Sequence, residues 1–194
     1  MKKFYNILLV ILIIIAIIVG TLLLIKYGGN YINDKQLKET VSTIELQLEN
    51  AQNGEKIESS YKGYEIEGIL EIPKIEIKYP IISSTTEESM KVSVTKFWGP
   101  KNLEEIGNYI IAGHNNRDGT MFGKTKYLEI GDEIKLTDLN NNTISYKIFS
   151  KYSIDPNDLG YVESVEPETR EVTLITCTNG HKERLIIKAR EDKL

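Results

Sequence analysis

The feature that most constrains this chain is an uncharged apolar run near its N-terminus. Residues 7–25 carry no charge, and most of them are Ile, Leu or Val. A helix rising about 1.5 Å per residue would make this run roughly 28 Å long, which matches the hydrocarbon core of a bilayer. Lys2 and Lys3 precede the run, and positive residues favour the cytoplasmic side. The sequence therefore predicts a cytoplasmic tail and transmembrane anchor over residues 1–26, with the rest of the chain outside.

The alternative for this run is a secretory signal that is cleaved after export. The run is longer than the apolar region typical of such signals, and no small-x-small cleavage site follows it near Lys26 and Tyr27. We therefore predict a single-pass protein of the cell membrane. Both alternatives place the remaining residues outside the cytoplasm.

The exported part is acidic and contains one cysteine. The chain has 24 basic and 28 acidic residues, and setting aside Lys2, Lys3 and Lys26 leaves 21 basic against 28 acidic, a net charge of −7. A domain this acidic lacks the basic surface that binds nucleic acid, so no nucleic-acid partner is predicted. A lone Cys177 excludes an intrachain disulfide, and one cysteine with two histidines leaves little material for a zinc site. We predict no metal and no cofactor.

Residues 27–66 are predicted to form an extracellular stalk with one amphipathic helix. Apolar residues recur at spacings of three and four: Leu37, Val41, Ile44, Leu48 and Ala51. Asn33 or Asp34 is predicted to cap the start of this helix, and Asn53-Gly54 to end it. The stripe is predicted to pack on the protein's own domain or on a short second helix. A homodimeric coiled coil is the weaker alternative, because only about two heptads are present.

Residues 67–194 are predicted to form one mostly β domain. Short alternating runs predict seven strands, over 68–74, 75–82, 108–112, 132–139, 143–154, 170–178 and 183–189. A short helix is predicted over 87–97 and one or two helical turns over 121–128, and residues 140–142 suit a hairpin turn. Seven or eight short strands with little helix indicate a barrel or a sandwich.

Three chemically useful side chains stand at predicted strand ends. His114 ends one apolar strand, Cys177 lies near the end of another, and Arg184 begins the last. A rigid sheet presents such side chains to a loop-lined cleft. In an oxidising compartment an unpaired thiol is a liability unless it is buried or has a function.

The last hairpin can be assigned a register if residues 179–180 form a two-residue type I′ turn. In that register Cys177 and Arg184 project from the same face as diagonal neighbours, about 7–8 Å apart. His181 then projects from the opposite face. We therefore predict that His114 is the partner of the thiol.

These three residue types together predict acyl transfer through a thioester. A nearby imidazole or guanidinium favours the thiolate of Cys177, which is the nucleophilic form. His114 can protonate a leaving amine, and Arg184 offers donors to an oxyanion or a carbonyl. Taken singly, each residue also has a structural explanation: a small buried hydrophobe for the cysteine, a hydrogen-bonded polar group for the histidine, and an ion pair with Glu183 or Glu171 for the arginine.

At these positions the chain resembles the sortases, membrane-anchored cysteine transpeptidases of Gram-positive bacteria. Residues 173–177, Thr-Leu-Ile-Thr-Cys, are similar to the family's T-L-x-T-C signature. Residues 184–189 resemble the strand that carries the family's catalytic arginine, and residues 111–114 resemble the strand end that carries its histidine. Residues 113–122 look like class B, whereas the short segment 154–171 looks more like class D.

The resemblance implies a closed eight-stranded β-barrel in which Cys177 attacks a threonine carbonyl of an LPxTG-like sorting signal. His114 would protonate the departing amine, and Arg184 would hold the substrate or the oxyanion. The partners would be the sorting-signal peptide of a surface protein or pilin and an amine acceptor, either a cell-wall precursor or a pilin lysine. Thr176, next to the thiol, is predicted to bind substrate.

Two other functions fit the same residues. A membrane-tethered cysteine peptidase would use water as the acceptor, and its site would be similar. A tethered adhesion or binding module would use Cys177 for core packing. A thiol that is sealed in the interior would favour the binding module.

Overall fold

One long helix leads from the apolar N-terminus to the folded domain. The computed structural model describes residues 2–51, 57, 59–163 and 168–192. Helix α1, Lys2–Asn50, is continuous and is roughly 74 Å long at about 1.5 Å per residue. The predicted helix start at Asn33 or Asp34 is therefore wrong. No proline interrupts the preceding residues, so they stay helical and leave both side chains available for other contacts.

The two halves of α1 have different surroundings. Apolar side chains along residues 7–25 are exposed, and the helix is long and apolar enough to cross a membrane. In the second half, Leu37, Val41, Ile44 and Leu48 are each at most 5% exposed and join the apolar core of the β domain. The stripe thus packs on the protein's own domain. The predicted end at Asn53-Gly54 lies outside the described residues.

A closed barrel follows the helix. In the part of the chain that the structure describes, nine strands form one sheet: β1 Ser60–Tyr61, β2 Tyr64–Ile72, β3 Ile77–Ile82, β4 Val94–Trp98, β5 Gly107–Ala112, β6 Glu133–Asp138, β7 Thr143–Ile154, β8 Arg170–Thr178 and β9 Glu183–Glu191. The strand order is β2-β3-β4-β5-β8-β9-β7-β6, and β6 pairs again with β2. The expected closed eight-stranded barrel is confirmed, and the two-residue β1 lies outside it on β2.

The main difference from the predicted elements lies between the second and third predicted strands. Helix α2, Glu87–Val92, is shorter than the helix predicted over 87–97. The β-branched pair Val94 and Thr95 begins strand β4 instead, which supplies the eighth strand of the barrel. Ser93 separates the two elements, and its hydroxyl donates to the carbonyl of Pro80 at 2.6 Å.

Smaller differences have similar causes. The first predicted strand starts earlier, at Tyr64, and stops at Ile72, because Pro73 opens a single 3-10 turn. The helical turns predicted over 121–128 reduce to one 3-10 turn, Thr125–Tyr127. The hairpin of β6 and β7 forms as predicted, and Asp138 accepts hydrogen bonds from the backbone amides of Asn140 and Asn142.

Strands β5, β8 and β9 lie side by side and have an apolar cluster on each face. β5 and β8 are parallel, and β8 and β9 are antiparallel. Alternate side chains such as Val172 and Leu174 fill the barrel interior. The side chains between them face outward, where a second cluster contains Ile110, Ala112, Ile175 and Ile186. The candidate site lies on this outer face.

Candidate active site

Cys177 and Arg184 are directly opposite each other on β8 and β9. The structure pairs Cys177 with Arg184 and Thr178 with Glu183. Side chains in such antiparallel pairs start about 4.5–5.5 Å apart at Cβ. The two side chains are therefore closer than the diagonal arrangement that the sequence predicted.

The turn explains this difference. The predicted two-residue turn is wrong, because residues 179–182 form a four-residue loop with one 3-10 turn. Asn179, Gly180 and His181 all have positive φ, at 47°, 62° and 71°. The longer loop moves the register by two residues, and a shift of two keeps each side chain on its face. Cys177 and Arg184 thus still share a face, whereas His181 lies in the loop and not in a strand.

His114 lies beside Cys177, at the end of the neighbouring strand. The last pair of β5 and β8 is Ala112 with Ile175. Hydrogen bonds hold the chain to β8 on both sides of His114: the Gly113 amide donates to the Ile175 carbonyl at 3.2 Å, and Asn115 Nδ2 donates to the Cys177 carbonyl at 2.8 Å. Adjacent strands are about 4.8 Å apart, so continuing this register puts His114 next to Cys177.

The row of His114, Cys177 and Arg184 faces outward and is accessible. Each of the three side chains is half-buried. Position 177 follows Ile175 by two residues and so shares its outward face. The thiol is therefore not sealed in the barrel interior, and the structure brings the three predicted residues together.

Thr176 lies differently, on the inward side of the same strand. It is 5% exposed, and its hydroxyl donates to the carbonyl of Gly113 at 2.6 Å. This hydrogen bond ties the strand that ends at Cys177 to the strand that ends at His114. The observed contact of Thr176 is thus with the backbone of the site.

The surroundings of His114 favour its neutral form. Burial lowers the pKa of His114 below its usual 6.5, and the positive charges of His181 and Lys91 lower it further, whereas Glu87 acts in the opposite direction. Lys91 and Glu87 belong to α2 and are joined by an ion pair at 3.0 Å. At pH 7 the imidazole is therefore mostly unprotonated and can accept a proton.

Removing a positive neighbour is expected to raise the pKa of His114. In His181→Gln and in Lys91→Gln, the imidazolium loses a repulsive charge, so protonation becomes more favourable. An NMR titration of the His114 ring checks this, and Lys101→Gln, which removes a lysine that does not act on the imidazole, serves as the control. A pKa that falls or stays constant in both variants would contradict this electrostatic account.

The Arg184 guanidinium has no carboxylate partner among the described residues. Its Nη1 lies 3.5 Å from the carbonyl of His181 and 3.4 Å from that of Glu183, which are long hydrogen bonds. Glu171 pairs instead with Lys188 at 3.5 Å and Arg190 at 3.2 Å. The ion pairs that would make Arg184 purely structural are therefore not formed with Glu171 or Glu183 in the structure.

Tyr161 and Glu163, which lie between β7 and β8, contact the outer face beside this row. Tyr161 is buried on the second apolar cluster. Asn108 Nδ2 donates to the Tyr161 carbonyl at 2.9 Å, and Lys188 Nζ donates to the Glu163 carbonyl at 2.8 Å. Burial raises the pKa of Tyr161, and the nearby positive charge of Arg184 opposes that shift. Tyr161 thus packs on the outer face near the guanidinium.

The sequence does not identify two residues that contribute to the site, Asn115 and Tyr161. Nothing in the sequence pairs Asn115 with Cys177, which is 62 residues away. Tyr161 follows Asp158 and Gly160 in a segment with no periodic pattern, so no signal placed it on the sheet. Among the described residues, no group of three or more His, Cys, Asp or Glu side chains is arranged to hold a metal ion.

Comparison with known proteins supports one family. The Sortase domain family matches residues 70–192 of this chain. The chain is 28% identical to Sortase D of Bacillus subtilis (strain 168) over 174 residues, which cover 83% of this chain and 85% of that protein. The structure of a Clostridium perfringens Sortase D5 transpeptidase is similar, with a TM-score of 0.61 and 25% identity over 86% of this chain and 99% of that one.

A further structural neighbour was solved with a sorting motif. Sortase C of Clostridium perfringens, solved with the C-terminal cell wall sorting motif, has a TM-score of 0.58 and 21% identity over 91% of this chain and 100% of that one. This likeness concerns the fold. Since the family match spans most of the barrel and includes all three residues of the row, the chain belongs to the sortase family of cysteine transpeptidases.

Proposed function

We propose that Cys177, His114 and Arg184 carry out the transpeptidation, with a sorting-signal peptide as the acyl donor and an amine as the acceptor. The observation that carries this proposal is the alignment of three neighbouring strand ends. They place a half-buried thiol between an imidazole and a guanidinium on one accessible face.

In the first half-reaction, Cys177 Sγ attacks the carbonyl carbon of the threonine in the sorting signal. The thiol proton passes to His114, whose lowered pKa leaves the ring nitrogen able to accept it at pH 7. The carbonyl oxygen becomes an oxyanion, and Arg184 donates hydrogen bonds to it. When the tetrahedral intermediate breaks down, the C–N bond breaks, His114 protonates the leaving amine, and a thioester remains on Cys177.

In the second half-reaction, an amine attacks the thioester carbon. His114, now neutral again, accepts a proton from the nitrogen of the attacking neutral amine, and the thiolate of Cys177 leaves. A new amide bond forms, and the thiol is regenerated by the proton held on His114. The chain thus exchanges one amide for another without a net change of oxidation state.

We expect the peptide to bind on the outer face of β5 and β8. Ala112 and Ile175 are each 8% exposed. They are paired, and they lie two residues before His114 and Cys177 in the chain. An apolar side chain of the sorting signal, such as the leucine of LPxTG, can pack there, and Tyr161 borders the same surface. Thr176 acts in this scheme through its contact with Gly113, by holding the two strand ends together.

The helix α1 sets the location of the reaction. Sortases are membrane-associated proteins of Gram-positive bacteria, and α1 carries an apolar stretch suited to a membrane span. Lys2 and Lys3 support a cytoplasmic N-terminus, which would place the barrel outside the cell. There it would meet exported proteins and the amine groups of cell-wall precursors or pilin lysines.

Product analysis tests the proposal. The full chain in detergent micelles is incubated with a library of LPxTG-like pentapeptide signals, with and without an oligoglycine amine. We expect cleavage after threonine and, when the amine is present, a new amide product detected by mass spectrometry. Release of only the hydrolysed acid at every amine concentration would indicate a peptidase, and the absence of any cleavage across the library would favour a binding module.

A further inference from the structure

One turn of α1 contacts the loop that follows His114. Asn30, Asn33 and Asp34 are spaced three and four residues apart, so they share one face of the helix. Asn30 follows Ile25, the end of the apolar run, by five residues, or about 7.5 Å along the helix axis. This turn is therefore the part of the domain nearest to the membrane span along α1.

The first contact is a hydrogen bond from Asn30 to Asp118. Asn30 Nδ2 donates to Asp118 Oδ2 at 2.7 Å. The other oxygen, Asp118 Oδ1, accepts from the Thr120 amide at 3.0 Å and from the Thr120 hydroxyl at 2.7 Å. Partial burial raises the pKa of Asp118, but the hydrogen bonds from Thr120 and Asn30 outweigh this and hold the pKa below its usual value. The carboxylate thus links the helix to the loop.

The second contact runs through Tyr79 on β3. The Tyr79 hydroxyl hydrogen-bonds to the carboxylate of Asp34 and also to the backbone of Met121. Burial and the Asp34 carboxylate raise the pKa of Tyr79 strongly. The phenol therefore stays protonated and donates a hydrogen bond to Asp34. This connects α1 to the other end of the same loop.

The third contact joins α1 to the end of α2. Asn33 Nδ2 donates to the carbonyl of Val92 at 2.9 Å, and Lys62 Nζ donates to Asn33 Oδ1 at 2.8 Å. Helix α2 carries Lys91, whose charge lowers the pKa of His114. Asn30 therefore contacts the loop after His114, and Asn33 contacts α2. Asp34 reaches the same loop through Tyr79.

Hydrogen bonds within the loop connect these contacts to His114. The Phe122 amide donates to the His114 carbonyl at 2.9 Å, and Asn115 pairs with Met121 across the loop. A cavity of about 170 Å³ lies at this junction, with Asn30, Asp34, Met121 and His114 in its lining. The helix turn, the loop and the His114 backbone thus form one hydrogen-bonded unit. His114 also helps to line the cavity that this unit borders.

We infer that Asn30 and Asp118 are positioning residues for His114, so that the membrane-proximal turn of α1 is part of the catalytic structure. This inference rests on the proposed role of His114. Because proton transfer requires the imidazole within hydrogen-bond reach of the reacting atoms, a small displacement of the loop lowers the rate of the chemical step. Peptide binding on the outer face depends on other residues and is expected to change little.

Steady-state kinetics of the full chain in detergent micelles test the inference. Asn30→Ala removes the donor to Asp118, and we expect kcat to fall about tenfold with KM changed less than about twofold. Asn30→Asp places two carboxylates against each other and is expected to lower kcat further. Gln36→Asp adds the same charge at an exposed position of α1 and is expected to leave both constants near those of the unmodified chain.

An exchange of the two groups distinguishes positioning from general damage. When Asn30→Asp is combined with Asp118→Asn, the amide introduced on the loop can donate to the carboxylate introduced on the helix, while the amide oxygen still accepts from Thr120. We expect the double variant to recover most of the kcat that Asn30→Asp loses. Lack of recovery, or an Asn30→Asp variant whose kcat stays within about twofold of the unmodified chain, would overturn the inference.

The His114 ring resonance gives a readout that does not depend on the peptide chemistry. The chain has two histidines, so His181→Gln assigns the signal of His114. We expect Asn30→Asp to shift this resonance and its titration, the double exchange to return both, and Gln36→Asp to leave both unchanged. If Asn30→Asp left the His114 resonance unchanged, the positioning role would be overturned, even if the protein proved inactive on sorting signals. If the resonance shifted but the protein was inactive, only the proposed function would be contradicted.

Discussion

Replacing Cys177 with alanine is expected to lower the turnover of a sorting-signal peptide by at least about 10⁴-fold, because the variant has no atom that can form the thioester. The fold should be retained. The thiol is half-buried at a strand end, so its loss removes little packing and the backbone pairing with Arg184 persists. Cleavage is measured by chromatography of the peptide products, and the melting temperature checks the fold.

Thr178→Ala is the matched control for this change. Thr178 is the next residue of β8, is also half-buried, and faces away from the row. We expect it to keep most of the activity. A Cys177→Ala variant with normal turnover would remove the basis of the covalent mechanism, and the barrel would then be best explained as a tethered binding domain.

The second large effect is expected at Arg184. Arg184→Lys keeps the positive charge but removes the planar fork, so the oxyanion loses a bidentate donor. Removal of one such donor typically lowers the rate by about 10²–10³-fold, and we expect a loss of at least about 10²-fold in kcat. The same peptide assay measures it, together with the rate at which the thioester accumulates.

Arg190→Lys provides a control with the same chemistry. Arg190 lies on the same strand and face, six residues from Arg184, which is about 20 Å at 3.4 Å per residue. Its ion pair with Glu171 can be kept by a lysine, so we expect nearly unchanged turnover. If Arg184→Lys retained more than half of the rate, the guanidinium would act only as a diffuse charge.

The shared face of Cys177 and Arg184 was predictable although the turn between them was not. The two-residue turn suggested by Asn179-Gly180 is replaced by a loop in which His181 also adopts a positive φ. Local sequence gives little indication of this, because a non-glycine residue rarely takes that conformation. Side chains along a strand alternate between the two faces of the sheet. A register change of two residues therefore leaves each side chain on the same face.

The strand count shows a similar limit. The strands that were predicted correctly, such as β7 and β8, have long alternating or apolar patterns. The sequence predicts helix over most of β4, because only Ser93, and no proline or glycine, separates Val94–Trp98 from the helical residues. Its pairing with β3 and β5 decides its conformation, and pairing partners are not visible in a local pattern.

The contacts of α1 with the site could not be predicted from the sequence. The apolar stripe that packs on the domain follows from helical spacing, and it was predicted. Asn30 and Asp118 are 88 residues apart, and neither belongs to a motif that links them. Only the continuous helix, which carries Asn30 past the end of the apolar run to the loop after His114, brings the two side chains together.

Mass spectrometry of the trapped reaction tests the central claim most directly. The full chain is mixed with a cleavable sorting-signal peptide without amine, quenched in acid, digested and mapped. The account predicts that the fragment containing Cys177 gains the mass of the peptide's acyl portion ending in threonine, and that adding an amine before the quench removes this mass. Product formation with Cys177 unmodified, or an acyl group found on another residue, would contradict it.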